Sequence, residues 1–243
     1  MNAIGIIPAR FASTRFPGKP LVDIQGKTMI RRVYEQAMQS KALTAVVVAT
    51  DDERIYKEVE SFGGKVVMTA AHHKNGTERC VEALEKSTQN QWDVVVNIQG
   101  DEPFIHPEQI DKVVACFKND SVQIATLARL LAEEKELNNP STIKVVRKAN
   151  GEALYFSRSA IPFYRDAKGE EWVKKHPYLK HIGIYAFRTE VIKKVVKLAP
   201  SALELAESLE QLRWMENGYP VFVDITDKEA ISIDTPEDLQ KIR

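Results

Sequence analysis

The stretch AIGIIPARFASTRFPGKP, residues 3–20, changes character at one point. Ala3 to Ile7 is an apolar, isoleucine-rich run that reads as a short buried strand. Pro8 lacks a backbone donor and is expected to end regular pairing there. Beyond it come Arg10, Arg15 and Lys19, in a loop stiffened by Pro17 and Pro20. Three cations therefore gather at the carboxyl end of a first strand, the edge at which open α/β sheets bind ligands.

Moving outward, valine- and isoleucine-rich runs alternate with stretches of helical period. A helix is expected at about 28–40, then strand 45–50, helix 52–62, strand 65–69, helix 77–87, strand 93–98 and helix 107–118. Such alternation predicts βαβ units, hence a mostly parallel sheet flanked by helices. The second half reads differently. Strands at 122–128, 142–148 and 181–187 are separated by loops, with a polar stretch from Arg165 to Tyr178. Helices at about 189–198 and 203–217 follow, then strand 221–225 and a last short helix. The fold class is α/β, a mixed and mostly parallel sheet with an antiparallel excursion, in a single domain over 1–243.

Composition narrows the function classes. Lys plus Arg (34) equals Asp plus Glu (34), so no overall charge draws the chain to nucleic acid or an acidic membrane. Any anion site must be local. Apolar runs such as AVVVA at 45–49 are too short to span a bilayer. The N-terminus has no basic region ahead of its apolar strand, so no secretory signal is expected. Cys80 and Cys116 sit among apolar residues of predicted helices and read as reduced core thiols.

The opening loop is not a P-loop. Ser13 stands where that motif needs glycine, and Pro20 where it needs a magnesium-binding hydroxyl. The loop offers side-chain cations instead, suited to a polyphosphate and a departing pyrophosphate. A second constellation is VVVNIQGDEPFI at 94–105, an apolar strand that ends in Gln99, Gly100, Asp101 and Glu102. Carboxylates in that position hold magnesium against nucleotide phosphates, although Gly, Asp and Pro also make ordinary turns. In SIDTPEDLQKIR, residues 232–243, Thr235, Pro236 and Asp238 make a helix start. Asp234 is left over as a second carboxylate. His72 and His73 have no further metal-ligand partner at a useful spacing and read as loop histidines.

Together IIPARFASTRFPGKPL, NIQGDEP, ALYFSRSAIPF, HIGIYAFR, LELAESLEQLR and SIDTPEDL resemble the 3-deoxy-manno-octulosonate (KDO) cytidylyltransferases, and the likeness runs from Ile4 to Arg243. It implies a nucleotide-diphospho-sugar transferase fold, with nucleotide bound by about 1–120 and sugar binding and dimerisation in about 121–220. It also implies a cytoplasmic homodimer that uses Mg²⁺ to make CMP-KDO and pyrophosphate from CTP and KDO, for lipopolysaccharide. By the same resemblance Arg10, Lys19 and Asp101 are catalytic. Pro8, Ala9, Ser13, Arg15 and Gln99 join Arg10 and Lys19 around the nucleotide, and Asn75, Gly76, Thr77 and Arg79 select cytosine. Asp101 and Asp234 hold the metal. Arg158, His181, Tyr185, Glu210 and Gln211 face the sugar, with Arg158 as the partner of its carboxylate. A cytidylyltransferase for 8-amino-KDO or sialic acid is the nearest alternative. A catalytically silent binding subunit is a more distant one.

Overall fold

The computed structural model describes residues 1–12, 16–87, 91–168, 171–229, 232, 233 and 235–240. Ser13, Arg15 and Asp234 lie outside the described residues. The first half runs β1 (Ala3–Ala9), β2 (Asp23–Ile24), β3 (Lys27–Thr28), α1 (Met29–Ala37), β4 (Ala45–Thr50), α2 (Glu53–Ser61), β5 (Val66–Met68), α3 (Gly76–Lys86), β6 (Val94–Asn97) and α4 (Pro107–Ala115). The second half adds β7 (Ile124–Leu130), α5 (Glu134–Asn138), β8 (Lys144–Arg147), β9 (Ala153–Ser157), α6 (Trp172–Lys175) and β10 (Leu179–Arg188). It closes with α7 (Thr189–Val195), α8 (Ala202–Glu207), α9 (Glu210–Glu216), β11 (Val221–Ile225) and α10 (Pro236–Gln240).

The main sheet is ordered β11-β7-β10-β6-β1-β4-β5, with β8 and β9 branching from β10. Along that path only β10 runs against its neighbours. The period of two along β1 divides the core. Ala3 and Ile7 face a layer that contains Val33, Ile55 and Ile110, from α1, α2 and α4. Ile4 and Ile6 face Cys80, Ile192 and Leu212, from α3, α7 and α9. Helices on both faces bury β6 completely, as its valines require.

β1 continues past Pro8, contrary to the sequence expectation, and pairs with β4 as far as Ala9 opposite Thr50. In a parallel ladder alternate residues bond alternate neighbours. Ala3 O accepts from Thr44 on the β4 side, whereas Ile6 O accepts from Ile98 on the β6 side. Pro8 is in step with Ile6, so its missing N–H falls where pairing to β6 has already ended at Ile6 opposite Asn97. The β4 side never needs that donor.

The helix expected over 203–217 is two helices, α8 and α9. Ser208 adopts a left-handed conformation (φ 52°, ψ 48°) between them. Of the expected leucine stripe, Leu209 and Leu212 are buried, but Leu203 and Leu205 are exposed. The break starts a new helix at Glu210, so Glu210 and Gln211 sit in a first turn. Strand β9 and the β2–β3 hairpin fall in segments read from sequence as loop. Among the described residues no helix is long and apolar enough to cross a membrane.

Candidate active site

The carboxyl ends of β1, β5 and β6 open onto one cavity. Pro8 and Ala9 come from the end of β1, Arg10 and Lys19 from the loop after it, Asn75 from the β5–α3 connection, Gly76 and Arg79 from the start of α3, and Gln99 and Asp101 from just past β6. Two glycines allow the approach. A Cβ on Gly76 would meet Pro8 Cγ at 3.0 Å, and one on Gly100 would meet the Pro8 carbonyl oxygen at 2.9 Å. Lys19 Nζ lies 2.8 Å from Asp101 Oδ2, with both side chains largely shielded. Two charges separated by 82 positions are thus brought together before any ligand arrives.

The 69–79 segment is internally braced. Asn75 caps α3 by accepting from the Glu78 N–H at 2.8 Å, which turns the helix N-terminus toward the cavity. Arg79 is buried, and its guanidinium donates to Thr69 Oγ1 (2.6 Å) and Asp51 Oδ2 (3.2 Å). These bonds tie Thr69 and Asp51 to α3. Thr77 is buried as well, and its hydroxyl points out of the loop altogether, donating to Glu210 Oε2 at 2.9 Å. His73 does more than sit in a loop: it lines the cavity and is held by Glu82 of α3. Burial would raise the Glu82 carboxyl, but Lys86, the Ala70 N–H and His73 together hold it well below the usual range. The i, i+4 spacing of Glu78 and Glu82 is the sequence signal for that face, since His73 also lies 3.8 Å from Glu78.

Across β6 lies a different environment. β10 has an irregularity between Ile182 and Tyr185, where Thr126 Oγ1 bonds the Ile182 and Ile184 carbonyls (3.1 and 2.7 Å). This keeps His181 and Tyr185 on one face, with ring centroids 5.2 Å apart. His181 Nε2 is 3.0 Å from Thr126 Oγ1, and burial pushes the imidazole down to about 3, so it is neutral at physiological pH. Tyr185 packs edge-on against Trp214 of α9, and burial, then Glu210, raise its phenol. Burial lifts Glu210 to about 7 against the opposing hydrogen bond from Thr77. Tyr185 OH, Glu210 Oε1 and Gln211 Nε2 are buried without a partner among the described residues. Gln99 ties this side to the first, donating to Gly183 O at 3.1 Å.

Arg158 is placed differently from Tyr185 and Glu210. Its guanidinium donates to the carbonyls of Glu207 (2.6 Å), Pro140 (3.0 Å) and Ser208 (3.4 Å). Lys144, fully buried, donates to the Arg158 carbonyl at 2.5 Å and to Thr142 O at 2.6 Å. In this conformation Arg158 braces the left-handed turn that launches α9.

Comparison with known proteins gives one consistent result. A cytidylyltransferase family model matches residues 4–231. The chain belongs to the cytidylyltransferase family. A protein of Parabacteroides distasonis named 3-deoxy-manno-octulosonate cytidylyltransferase is 57% identical, over 99% of this chain and 96% of that protein. One from Geobacter sulfurreducens with the same name is 45% identical, over 100% and 98%. A solved structure of CMP:2-keto-3-deoxy-manno-octonic acid synthetase complexed with CTP superposes with a TM-score of 0.91, at 42% identity over 100% of this chain and 97% of that one. The nucleotide-diphospho-sugar transferase fold expected from the sequence is therefore the fold of this cytidylyltransferase.

In this family member the donors fit a hard cation. Asp101 offers an oxygen past the strand end, beside a cavity lined by Arg10 and Lys19, and magnesium needs only one or two protein carboxylates. Ile233 N–H donates to the Asp101 carbonyl at 2.9 Å, which brings the chain just ahead of residue 234 to the same place. Among the described residues no group of three or more His, Cys, Asp or Glu could hold a metal unaided. Thr235 and Asp238 form the expected reciprocal cap, with Thr235 N–H to Asp238 Oδ2 at 3.1 Å and Asp238 N–H to Thr235 Oγ1 at 3.3 Å.

Proposed function

We infer that the protein transfers the cytidylyl group of CTP to the anomeric hydroxyl of KDO, releasing pyrophosphate and forming CMP-KDO. The observation that carries this reading is the convergence of Arg10, Lys19, Asp101 and the α3 N-terminus on one cavity, in a chain 57% identical to a protein of that name. The transfer needs in-line placement and charge neutralisation more than covalent chemistry. Arg10 and Lys19 hold the triphosphate and stabilise the departing pyrophosphate, with Arg15 and Ser13 assigned to the same loop by family resemblance. Asn75, Gly76 and Arg79 enclose the nucleoside end. Mg²⁺, held by Asp101 and Asp234, would neutralise the polyphosphate and polarise the reacting phosphoryl oxygens.

The sugar lies across Gln99, against Tyr185, Glu210 and Gln211, whose partnerless atoms match a polyhydroxylated acceptor. Neutral His181 offers the same hydroxyls a hydrogen-bonding ring without a charge. Arg158 shapes the turn before Glu210. A cytoplasmic homodimer that supplies lipopolysaccharide assembly completes the proposal. In support of the dimer, exposed Leu130 and Leu154 rim an apolar groove, and Phe163 follows its Pro162.

Pyrophosphate release from CTP, assayed with KDO, 8-amino-KDO and sialic acid, tests the reading. It requires KDO to give the highest kcat/KM and UTP to be a poor substitute for CTP. Faster turnover of another sugar acid would reassign the substrate, and CTP binding without turnover of any would make the chain a binding protein.

A further inference from the structure

Thr77 and Glu210 stand in the first turns of α3 and α9, 133 positions apart, and join those helices end to end through one partly buried hydrogen bond. Each turn belongs to a different half of the site. The α3 turn carries Asn75, Gly76 and Arg79 into the nucleotide cavity. The α9 turn carries Glu210 Oε1 and Gln211 Nε2, and with Tyr185 OH these are buried without partners among the described residues.

The Thr77 hydroxyl is free for this task because Asn75 already caps α3. Its side chain is buried and does not line the nucleotide cavity, so direct contact with the base is not its role. Glu210 has two oxygens with separate duties. Oε2 accepts from Thr77, and Oε1 remains for a ligand hydroxyl. The bond therefore fixes the carboxyl rotamer that aims Oε1 at the acceptor. A nucleotide that clamps residues 75–79 restrains the turn from which that bond is made.

We propose that Thr77 is a positioning residue whose bond to Glu210 couples the two substrates, so that a bound cytidine nucleotide raises affinity for the sugar acid. This rests on the function proposed above. Coupling of binding free energies is reciprocal, so the sugar acid must raise nucleotide affinity by the same factor. The neutral acceptor pocket is then completed only when the charged cavity is filled, which orders the encounter without a moving lid.

The test uses the full-length protein and an α,β-methylene analogue of CTP that binds without transfer. Sugar-acid affinity is measured by calorimetry with and without the analogue, in wild type, Thr77→Val, Thr77→Ser and Glu210→Gln. The expected result is that the analogue strengthens sugar binding about tenfold in wild type and Thr77→Ser, within the usual range of coupling. Thr77→Val, which keeps the shape but lacks the hydroxyl, loses that enhancement and yet binds the analogue alone within about twofold of wild type. Melting curves for all four confirm that each is folded, and Glu210→Gln keeps the proposal falsifiable if Thr77→Val is not. Undiminished coupling in Thr77→Val would overturn the link. A loss confined to analogue binding would make Thr77 a nucleotide ligand instead. Failure of wild type to release pyrophosphate with any sugar acid would overturn the proposed function and this coupling with it.

Discussion

On the proposed function, the two halves of the site solve opposite problems. The nucleotide cavity is charged and its charges are paired: Lys19 lies on Asp101, and Arg79 on Asp51. The acceptor side is mostly buried and carries little fixed charge. His181 is held uncharged, Glu210 is poised near neutrality, and three polar atoms keep no partner among the described residues. A polyanion releases cations from their resting partners, so a charged site is stable while it waits. A polyol can be bound only by groups that give up water in advance, and that costs stability. On the proposed function, the acceptor half is where stability is given up for recognition.

The contrast is tested first where the effect is greatest. Lys19→Ala removes the cation that faces both Asp101 and the phosphates, and kcat/KM should fall by about 10²–10³. Asp101→Asn should lower turnover comparably, with partial recovery at high Mg²⁺. Steady-state kinetics across a magnesium titration checks both. Wild-type-like constants in Lys19→Ala would take the opening loop out of the site.

Glu210→Gln probes the stability cost directly. The carboxyl titrates at about 7 in the folded chain against an ordinary value of 4.5, chiefly through burial. Between those values the folded chain keeps a proton that the unfolded chain releases, so stability falls as pH rises through the window. Cys80 and Glu78 of α3, Tyr185 of β10, Glu204 of α8 and Arg213 of α9 all act on the same volume, and they remain in the variant. Replacing Glu210 should flatten the decline between pH 5 and 7, a difference on the order of 2–3 kcal/mol. Chemical denaturation at a series of pH values reads it. Parallel pH curves for the two proteins would mean that Glu210 ionises as freely as a surface carboxylate.

The smallest expected effect is one of stability alone. Thr235→Ala removes the hydroxyl that caps α10 and should cost about 1 kcal/mol with little change in either KM. A large loss of turnover instead would place the cap inside the chemistry.

Much of this was legible in the chain. Runs such as AVVVAT and VVVN could only be buried strands, and their alternation with amphipathic stretches required parallel pairing. Arg10, Lys19 and Asp101 lie past carboxyl strand ends, as read from the chain, and line one cavity. What stayed hidden depended on partners distant in sequence. The strand runs through Pro8 because its missing donor faces the side where pairing has stopped. Ser208 breaks a helical pattern in a turn held by Arg158, from β-strand territory fifty residues upstream. Thr77 looked like part of the cytosine loop, and only the placement of Glu210 draws its hydroxyl away. Arg158, which the family resemblance gives to the sugar carboxylate, donates to three backbone carbonyls that no local pattern announces.

The division of labour between the halves is tested most directly by calorimetric titration of CTP into Lys19→Ala and Glu210→Gln without sugar or turnover. The account predicts that Lys19→Ala loses CTP affinity by about tenfold or more, the scale for a charged hydrogen bond, whereas Glu210→Gln binds CTP like wild type. Equal losses in the two variants, or a loss in Glu210→Gln alone, would contradict it.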